Sequence, residues 1–288
     1  MTSQTPVWFI TGASSGFGRG IAIEALRRGH HVVATARRSC TLAALAEDGA
    51  YALDLDVTAP EDVIEAKVKE AHDIHGRLTY IVNAAGYVLE GACEEASEKE
   101  VFDQFNTNVL GAIKVTRAAI PYLRAQHAGA IANFGSLSSW NGTPATGFYN
   151  ASKWAVSGFS ESMSAELAPL GITATCVEPG MFRTEFLNAG RRVSTRRRLR
   201  DVYAVGADEY RALLDSSDNK QLGDVEKGAR ITVDVLTRTG VAEGREIPVR
   251  LVLGSDCVGV IRDKCESTLK LLKDWEDIAV STDHDDMK

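Results

Sequence analysis

Thr11-Gly12-Ala13-Ser14-Ser15-Gly16-Phe17-Gly18 is the most informative stretch of the sequence. The apolar run before it predicts a buried strand over residues 7–11, and apolar residues recur at helical spacing over residues 18–28. Glycines allow a tight turn and a close approach of the backbone to a phosphate, whose charge binds the free N–H groups at a helix start. A dinucleotide-binding turn is therefore predicted, with contacts from Gly12, Ser14, Ser15, Gly16, Phe17 and Gly18.

The alternation of short apolar runs and helical patterns continues along most of the chain. Almost continuously apolar strands are typical of parallel sheets that are covered on both faces. Strand–helix–strand repetition predicts an α/β fold with a doubly wound, seven-stranded parallel sheet of the Rossmann type. The predicted strands are residues 7–11, 31–36, 50–55, 80–83, 130–135, 173–178 and 249–253. The predicted helices between them are residues 18–28, 62–72, 101–123 and 151–167.

The composition is that of an ordinary globular protein. Of the 288 residues, 44% are hydrophobic and 25% are charged, which fits one large domain over residues 1–288. The net charge of −7 argues against nonspecific nucleic-acid binding, which requires a net basic face. The five cysteines include no C-x-x-C pair, so neither a disulfide framework nor a metal site is indicated.

The sequence contains no candidate membrane span or export signal. Its apolar runs are much shorter than the roughly 18 residues that a membrane span needs. Residues 1–6 are polar and lead directly into the first predicted strand, which is not the pattern of a signal peptide. We therefore expect a cytoplasmic protein.

Two segments interrupt the alternation. Residues 186–224 are long and polar, with six arginines between Arg191 and Arg200. They form either a solvated loop with one or two helices or, as long segments inside compact domains often do, a cover over a substrate site. Residues 256–288 are predicted to be a C-terminal helix, over residues 256–275, followed by an acidic tail.

The tip of the second strand predicts which dinucleotide binds. A fold that prefers NAD usually carries an acidic residue there, which binds the ribose 2′-hydroxyl. This strand instead ends in Ala36-Arg37-Arg38, and guanidinium groups pair well with a 2′-phosphate. Unless Arg37 and Arg38 are only surface charges, the sequence favours NADP(H) as the cofactor.

These motifs and others in the same order resemble the short-chain dehydrogenase/reductase family, over residues 7–253. Asp56-Val57 matches the pair that contacts adenine in that family, and Asn83-Ala84-Ala85-Gly86 matches its N-N-A-G turn, with Ala84 in place of the second Asn. The segment from Pro179 to Thr184 matches its P-G-x-x-x-T pattern. The resemblance implies further cofactor contacts from Asp56, Val57, Asn83, Ala84, Ala85, Gly86, Pro179, Gly180, Met181 and Thr184.

Ser136, Tyr149 and Lys153 are the central candidate catalytic residues. Tyr149 and Lys153 are four residues apart, so on a helix they share one face and both can also contact the cofactor. An ammonium and an oxidised nicotinamide ring beside the phenol are expected to lower its pKa from about 10. Ser136 ends a strand and can donate a hydrogen bond to the substrate oxygen, with Ser138 and Ser139 as alternatives. The spacing of Ser136 and Tyr149 is the one that the family uses.

Asn108 is the fourth candidate catalytic residue, because it fits the N-x-x-G helix of the family. The resemblance implies that Asn108 supports Lys153 through water and takes part in a proton relay, although Asn106 is a neighbouring alternative. The family uses the helices equivalent to residues 101–123 and 151–167 as subunit interfaces. This implies a homodimer or homotetramer, but a buried intramolecular face would have the same apolar pattern.

Several apolar and aromatic residues are candidates for a substrate wall. Such a wall suits a bulky or multi-ring small molecule better than a sugar, unless half of these residues face the core. Residues 34–38 and 249–256 are similar to the 17β-hydroxysteroid-dehydrogenase-like branch of the family, which does not by itself imply a steroid substrate. The candidate substrate contacts are Tyr87, Leu89, Leu137, Ser138, Trp140, Phe148, Phe182 and Phe186.

The sequence therefore predicts an NADPH-dependent oxidoreductase. It would reduce a carbonyl of a lipid-like or multi-ring substrate to an alcohol, or catalyse the reverse reaction, with the cofactor supplying the redox chemistry. One alternative is an enzyme of the same fold that couples NADP(H) to dehydration, isomerisation or cyclisation. Another is a non-catalytic NADP(H)-binding regulator, which is disfavoured because Tyr149 and Lys153 are both present.

Overall fold

The computed structural model describes residues 5–188 and 191–284. Its strands are β1 (Val7–Thr11), β2 (His31–Ala36), β3 (Tyr51–Asp54), β4 (Tyr80–Asn83), β5 (Val88–Glu90), β6 (Gly129–Phe134), β7 (Ile172–Pro179), β8 (Arg192–Ser194) and β9 (Arg250–Leu253). Seven of them form one parallel sheet in the order β3-β2-β1-β4-β6-β7-β9. The predicted seven-stranded Rossmann-type sheet is thereby confirmed, and each predicted strand end lies within one residue of the observed one.

Helices cover both faces of this sheet. They are α1 (Gly16–Arg27), α2 (Ala43–Glu47), α3 (Glu61–His75), α4 (Glu98–Phe105), α5 (Gly111–Ala125), α6 (Gly147–Leu167), α7 (Glu209–Ser217), α8 (Val225–Thr237) and α9 (Ser255–Val280). The strand order reverses between β1 and β4, which are neighbours in the sheet. In open α/β sheets, the carboxyl ends of the strands at such a reversal form the ligand-binding crevice.

The alternation of side chains along β1 divides the core into two layers. Trp8 and Ile10 pack into the cluster beneath α1 and α8, whereas Val7 and Phe9 pack into the cluster beneath α3, α5 and α6. All four side chains are almost completely buried, as expected for a strand at the centre of a covered parallel sheet. This core fixes where β1 ends, and therefore where the glycine-rich turn begins.

Several helices differ from the expectation. α2 was not predicted, and α6 begins four residues before the expected residue 151. The helix expected over residues 101–123 consists of α4 and α5 joined by a π-helical turn, Asn106–Leu110. Such turns insert an extra residue and often occur at functional sites. No predicted helix corresponds to α8, whose apolar face is buried against α1; a Cβ on Gly20 of α1 would lie 2.9 Å from the Ala229 side chain. α8 follows directly after the polar segment, residues 186–224.

Residues 186–188 and 191–224, here called the inserted segment, are docked on the domain by hydrogen bonds and ion pairs. Its strand β8 pairs in parallel with β5. Arg211 of α7 is 95% buried and lies 3.0 Å from Glu90 and 2.5 Å from Glu95. Arg192 approaches the other oxygen of Glu90 at 2.8 Å. The arginine-rich stretch is therefore matched to an acidic segment that lies about a hundred residues earlier in the chain.

The buried carboxylate of Glu95 is held in the charged form. Burial alone would raise the pKa of Glu95, but the Leu199 and Ala92 N–H groups and the Arg211 guanidinium lower it to about 2. A carboxylate whose pKa is lowered on folding stabilises the protein above its unfolded pKa of 4.5, and this contribution is lost as the pH falls towards 2. The docked segment therefore depends on ionised Glu95 at neutral pH.

α9 begins within one residue of the expected position but ends five residues later than residue 275, and it has few contacts with the rest of the chain. Cys257 is buried, while Leu269, Leu272 and Trp275 are each more than half exposed. Residues 285–288 of the predicted acidic tail lie outside the described residues. Within the part of the chain that the structure describes, none of the helices is long and apolar enough to cross a membrane.

We expect Arg211→Met to release the inserted segment, because Glu90 and Glu95 would stay buried without their shared cation. Breaking a buried ion pair costs about 3–5 kcal/mol, and each 1.4 kcal/mol is about a tenfold change in an equilibrium constant. Amide hydrogen exchange in residues 192–217 should therefore become about 100-fold faster, as measured by mass spectrometry.

Arg197→Met is the matched control for this experiment. Arg197 lies 3.7 Å from Glu94, and both side chains are more than half exposed. Exposed ion pairs contribute about 0–1 kcal/mol, so exchange should change less than about fivefold. Similar exchange rates in the two variants would show that the buried pairs do not hold the segment.

Candidate active site

The turn between β1 and α1 has no room for a side chain at Gly12 or at Gly18. Two of its glycines also have backbone angles that favour glycine. Gly12 and Gly16 have φ angles of +66° and +53°, which side-chain-bearing residues rarely adopt. A Cβ on Gly12 would lie 2.8 Å from the Ala85 backbone, and a Cβ on Gly18 would lie 2.6 Å from the carbonyl oxygen of Gly12. The glycine spacing in the sequence thus reflects two close backbone contacts.

The N-terminus of α1 is open to an anion. Ser15 precedes the helix but makes no side-chain capping hydrogen bond, and the first turn carries no acidic residue. The first N–H groups of α1 therefore have no side-chain acceptor, while the helix dipole favours negative charge there. These features fit a phosphate group of a dinucleotide.

Two cavities meet above this turn. One, here called the tyrosine cavity, is lined by Ser136, Tyr149 and Lys153, and the other, here called the arginine cavity, is lined by Arg37 and Arg38. They form a continuous groove across the carboxyl ends of the strands, since they share the lining residues Gly12, Ala85, Gly86 and Arg191. The other predicted cofactor contacts along the groove are Ser15, Gly16, Phe17, Gly18, Ala84, Pro179, Gly180, Met181 and Thr184 in the tyrosine cavity and Ser14, Asp56 and Val57 in the arginine cavity.

Asn83 is the predicted cofactor contact that lines neither cavity. Its side chain is buried, and its Nδ2 donates to Asn133 Oδ1 at 2.8 Å and to Thr116 Oγ1 at 3.0 Å. Asn83 is the last residue of β4, and its amide anchors that strand to β6 and α5. It therefore fixes the position of the turn at Ala84, Ala85 and Gly86 instead of facing the groove.

Ser136, Tyr149 and Lys153 come together at one end of the tyrosine cavity. Tyr149 and Lys153 lie one turn apart on α6, and both are more than nine-tenths buried. The Ser136 side chain lies beside the Tyr149 side chain and lowers its pKa, while Ser136 Oγ accepts from the Ser138 N–H at 3.1 Å. Lys153 Nζ lies 5.7 Å from the centre of the Tyr149 ring and donates to the Phe134 carbonyl oxygen at 2.6 Å. Of the serines considered, Ser136 is the one that acts on Tyr149.

Burial shifts the pKa values of both α6 side chains towards the neutral form. It raises the pKa of Tyr149 to about 12, an effect that Ser136 partly offsets. It lowers the pKa of Lys153 to about 8. The expected lowering of the phenol pKa is thus absent from the protein by itself, because desolvation outweighs the effect of Ser136. Tyr149 therefore holds its proton throughout the physiological range.

The sequence over residues 6–193 matches the family model for short chain dehydrogenases. That match takes in β1 to β7 and every candidate catalytic residue. The chain belongs to the short-chain dehydrogenase family. This short-chain dehydrogenase is accordingly an oxidoreductase.

Its relatives cover almost the whole chain. It is 32% identical over 283 residues to the oxidoreductase BOA17 of Botryotinia fuckeliana, covering 97% of this chain and 100% of that protein. A short-chain dehydrogenase structure from Streptomyces avermitilis is 34% identical, with a TM-score of 0.88 over 98% of this chain and 100% of that one. A 3-ketoacyl-(acyl-carrier-protein) reductase from Brucella melitensis, complexed with NADH, is 25% identical, with a TM-score of 0.69 over 86% and 96% of the two chains.

Asn108 of this short-chain dehydrogenase lies in the π-helical turn and holds a neighbouring backbone segment. Its Oδ1 accepts from the Tyr87 N–H, and its Nδ2 donates to the Tyr87 carbonyl oxygen, both at 3.0 Å. Gln104, one turn earlier, accepts from the Leu89 N–H at 2.6 Å. Nδ2 of Asn108 also lies 3.2 Å from Ser152 Oγ on α6. Asn108 thus connects the wall of the groove to the helix that carries Tyr149 and Lys153.

The predicted substrate contacts divide into three groups. Leu137, Ser138, Phe182 and Phe186 line the tyrosine cavity, and Tyr87 lines the arginine cavity. The remaining three predicted contacts line neither cavity: Leu89, Trp140 and Phe148. Leu89 alternates on β5 with Val88, which does line the tyrosine cavity, so the two side chains point to opposite faces. Phe148 precedes Tyr149 on α6, and consecutive helical residues point about 100° apart.

Trp140 is held outside the cavity wall by contacts with Glu178 and Arg250. Its indole Nε1 donates to Glu178 Oε2 at 2.7 Å, and the Arg250 guanidinium lies 4.5 Å from its ring centre. Arg250 also pairs with Glu178 at 2.6 Å. Glu178 is completely buried at the end of β7. These contacts fix the loop that follows Ser136, so Trp140 positions the loop and does not form a wall of the cavity.

Further lining residues of the tyrosine cavity were not apparent from the sequence. Several come from the inserted segment, whose docking depends on distant carboxylates, so no local pattern marks them. Tyr210 and Leu214 are four residues apart in a polar stretch, and this helical spacing is the one local signal that could have identified these two residues. The additional residues from the inserted segment are Leu187, Arg191, Tyr210, Leu214 and Gln221.

Proposed function

We propose that this short-chain dehydrogenase is an NADPH-dependent carbonyl reductase that converts a bulky, mostly apolar ketone to an alcohol, or catalyses the reverse reaction. The observation that carries the proposal is that Ser136 and the buried side chains of Tyr149 and Lys153 line one cavity, with Tyr149 and Lys153 one turn apart on α6. A proton donor, a donor to the substrate oxygen and a cation are the groups that carbonyl reduction requires. The 3-ketoacyl reductase relative acts on a ketone by its name, which supports the same reaction class.

The residues along the groove fit a nicotinamide dinucleotide. The open N-terminus of α1 and the side chains of Ser14 and Ser15 would hold the diphosphate. Asp56 and Val57 would contact the adenine. Backbone at Ala84, Ala85 and Gly86 and the segment from Pro179 to Thr184 would hold the nicotinamide end. When bound, the nicotinamide supplies a hydride to the carbonyl carbon or accepts one in the reverse direction.

Arg37 and Arg38 support NADPH over NADH. Both guanidinium groups are exposed at the wall of the arginine cavity, and neither forms an ion pair in the described part of the chain. Unpaired arginines in a groove are suited to bind a 2′-phosphate through charge-assisted hydrogen bonds.

Arg191 supports a further contact with the diphosphate. Its Nη2 lies 3.3 Å from Ser14 Oγ, and its side chain lines both cavities. Within residues 5–188 and 191–284, no carboxylate lies within ion-pair distance of Arg191, in contrast to Arg192. Arg191 comes from the inserted segment, so cofactor binding and the docking of that segment would stabilise each other.

The chain's own groups account for the proton transfer. Tyr149, with its raised pKa, keeps its proton and donates it to the substrate oxygen as negative charge develops there. Ser136 stabilises the same oxygen by a hydrogen bond. The Lys153 ammonium, held by the Phe134 carbonyl oxygen, stabilises the phenolate that remains after the transfer.

The walls of the tyrosine cavity support a bulky, apolar substrate. Leu137, Phe182 and Phe186 line it together with Leu187 and Leu214. The Phe186 ring centre lies 6.0 Å from that of Tyr149, so the apolar wall extends to the proton donor. Residues of the inserted segment supply much of this wall, which favours its role as a substrate cover over that of a solvated loop.

Exposed aromatic and aliphatic side chains support a homo-oligomer. Phe102 on α4, Leu110 in the π-helical turn and Trp154 on α6 are 58%, 43% and 46% exposed. Large apolar side chains exposed close together are typical of protein interfaces. Their helices correspond to those that the family resemblance assigns to subunit contacts, so we propose a homodimer or homotetramer formed through them.

Tyr149→Phe should abolish reduction of an apolar ketone such as 1-tetralone, because the variant has no proton to donate. The rate should fall at least about 1,000-fold, while the Kd for NADPH stays within about threefold. NADPH oxidation at 340 nm and calorimetry measure the two quantities. Tyr51→Phe, at an exposed site on β3, is the control, and retained activity in Tyr149→Phe would rule out the proton-donor role.

The rate of carbonyl reduction should depend on the Lys153 ammonium, whose pKa is about 8. A lysine with a lowered pKa is charged below that value and neutral above it, so kcat/KM should be flat below pH 8 and fall tenfold per pH unit above it. Lys153→Arg should remove the break at pH 8, since the guanidinium keeps its charge. A wild-type profile that stays flat to pH 10 would contradict the role of the ammonium.

Two arginine substitutions separate the 2′-phosphate from the diphosphate. Arg37→Ala should weaken NADPH binding about tenfold or more and leave NADH binding nearly unchanged, because NADH has no 2′-phosphate. Arg191→Ala should weaken both equally, since both carry the diphosphate. Calorimetric titrations measure the Kd values, and Arg196→Ala, at an exposed position of the same segment, is the control. An equal loss of both cofactors in Arg37→Ala would mean that Arg37 does not bind the 2′-phosphate.

A further inference from the structure

α9 extends away from the domain over most of its length. Its first turn is fixed, since Cys257 Sγ donates to the Glu178 carbonyl oxygen at 3.3 Å. The side chain of Asp256 accepts from the Met181 N–H at 2.6 Å. Beyond this turn, every residue from Arg262 to Val280 is exposed. At 1.5 Å per residue, about 27 Å of helix therefore projects from the domain.

One face of α9 is apolar along the whole helix. Its side chains recur every three or four residues, a spacing that aligns them in one stripe. Leu269, Leu272 and Trp275 are 66%, 59% and 57% exposed, so no element of the described ranges covers them. A helix normally buries such a stripe, because packing of its apolar face supplies most of its stability. The residues of the stripe are Val258, Ile261, Cys265, Leu269, Leu272 and Trp275.

The charges on α9 differ between its two halves. Residues 258–270 carry three cations and two carboxylates, whereas residues 271–283 carry one cation and four carboxylates. Arg262 in the first half and Glu276 in the second form no ion pair within the part of the chain that the structure describes. They are about 21 Å apart along the helix, so they cannot pair with each other. An identical helix in the antiparallel direction would bring each basic half beside an acidic half.

We propose that the apolar stripe of α9 packs antiparallel against α9 of a second copy of this chain. The contact is isologous, as in most homodimers, and it pairs Arg262 of each copy with Glu276 of the other. A membrane surface fits less well, because anionic lipids would repel the carboxylates of the second half.

The base of α9 adjoins the apolar face that we propose for subunit contacts. Lys264 Nζ lies 5.9 Å from the ring centre of Trp154, which belongs to that face. The α9 contact therefore adds a second surface to the one on α4, the π-helical turn and α6. It does not depend on the proposed reaction.

The first test is the molar mass of the full-length protein, measured by sedimentation equilibrium over a series of concentrations. Leu272→Glu should halve the mass, because it places a charge in the apolar contact. Ser267→Glu is the matched control, since it adds the same charge about 140° away around the helix, and it should keep the wild-type mass. Both variants should keep the wild-type Kd for NADPH, which shows that the domain is intact.

A charge exchange tests the partner and its direction. Arg262→Glu and Glu276→Arg should each weaken self-association about tenfold at low salt, because each reversal turns two attractive pairs per dimer into repulsive ones. The double variant restores opposite charges and should return the Kd to within about threefold of wild type. Since the two positions cannot meet within one helix, this rescue requires an antiparallel second copy.

Several results would overturn the proposal. One is a wild-type chain that stays monomeric, and another is a molar mass that Leu272→Glu leaves unchanged. A double variant as weak as the single variants would exclude the antiparallel pairing. Binding to phosphatidylserine vesicles that requires Leu272, without self-association, would assign the stripe to a membrane instead. A wild-type chain that binds no NADPH would overturn the proposed function and leave the mass comparison unaffected.

Discussion

Direct contact between two backbone turns creates the groove on which the proposed chemistry depends. The turn after β1 approaches the turn after β4 so closely that a Cβ on Gly12 would lie 2.8 Å from the Ala85 backbone. Both residues line both cavities, because the strand order reverses between β1 and β4. A larger residue in place of Gly12 would separate the two turns and so displace the N-terminus of α1 from Tyr149.

The inserted segment, which supplies part of the cavity walls, is held in place by buried ion pairs. Arg211 lies between Glu90 and Glu95, and these ion pairs hold the inserted segment against β5. One end of this segment carries Arg191, close to the glycine turn, and the other carries Gln221, in the wall near Tyr149. Breaking a buried pair is costly, so a single set of ion pairs is coupled both to the proposed diphosphate contact and to the apolar wall of the proposed substrate site.

The sequence predicted the parts of the molecule that follow local rules. The seven strands and the glycine turn obey periodicity and backbone sterics, and Tyr149 and Lys153 share a helix face because they are four residues apart. The environment of Trp140 could not be predicted in this way, since its partner Glu178 lies 38 residues further along the chain. The same holds for the docking of residues 191–217 on distant carboxylates, and for the raised pKa of Tyr149, which depends on burial by the whole fold.

We propose that one continuous groove binds NADPH between Arg37 and Tyr149. The most direct test is a calorimetric titration of the wild-type protein with NADPH and, separately, with NADH. We predict that NADPH binds about tenfold or more tightly, a difference of roughly 1.4 kcal/mol or more, with one molecule per chain. Equal affinities would contradict the proposed binding of the 2′-phosphate by the arginines, and binding of neither cofactor would contradict the proposed function of the groove.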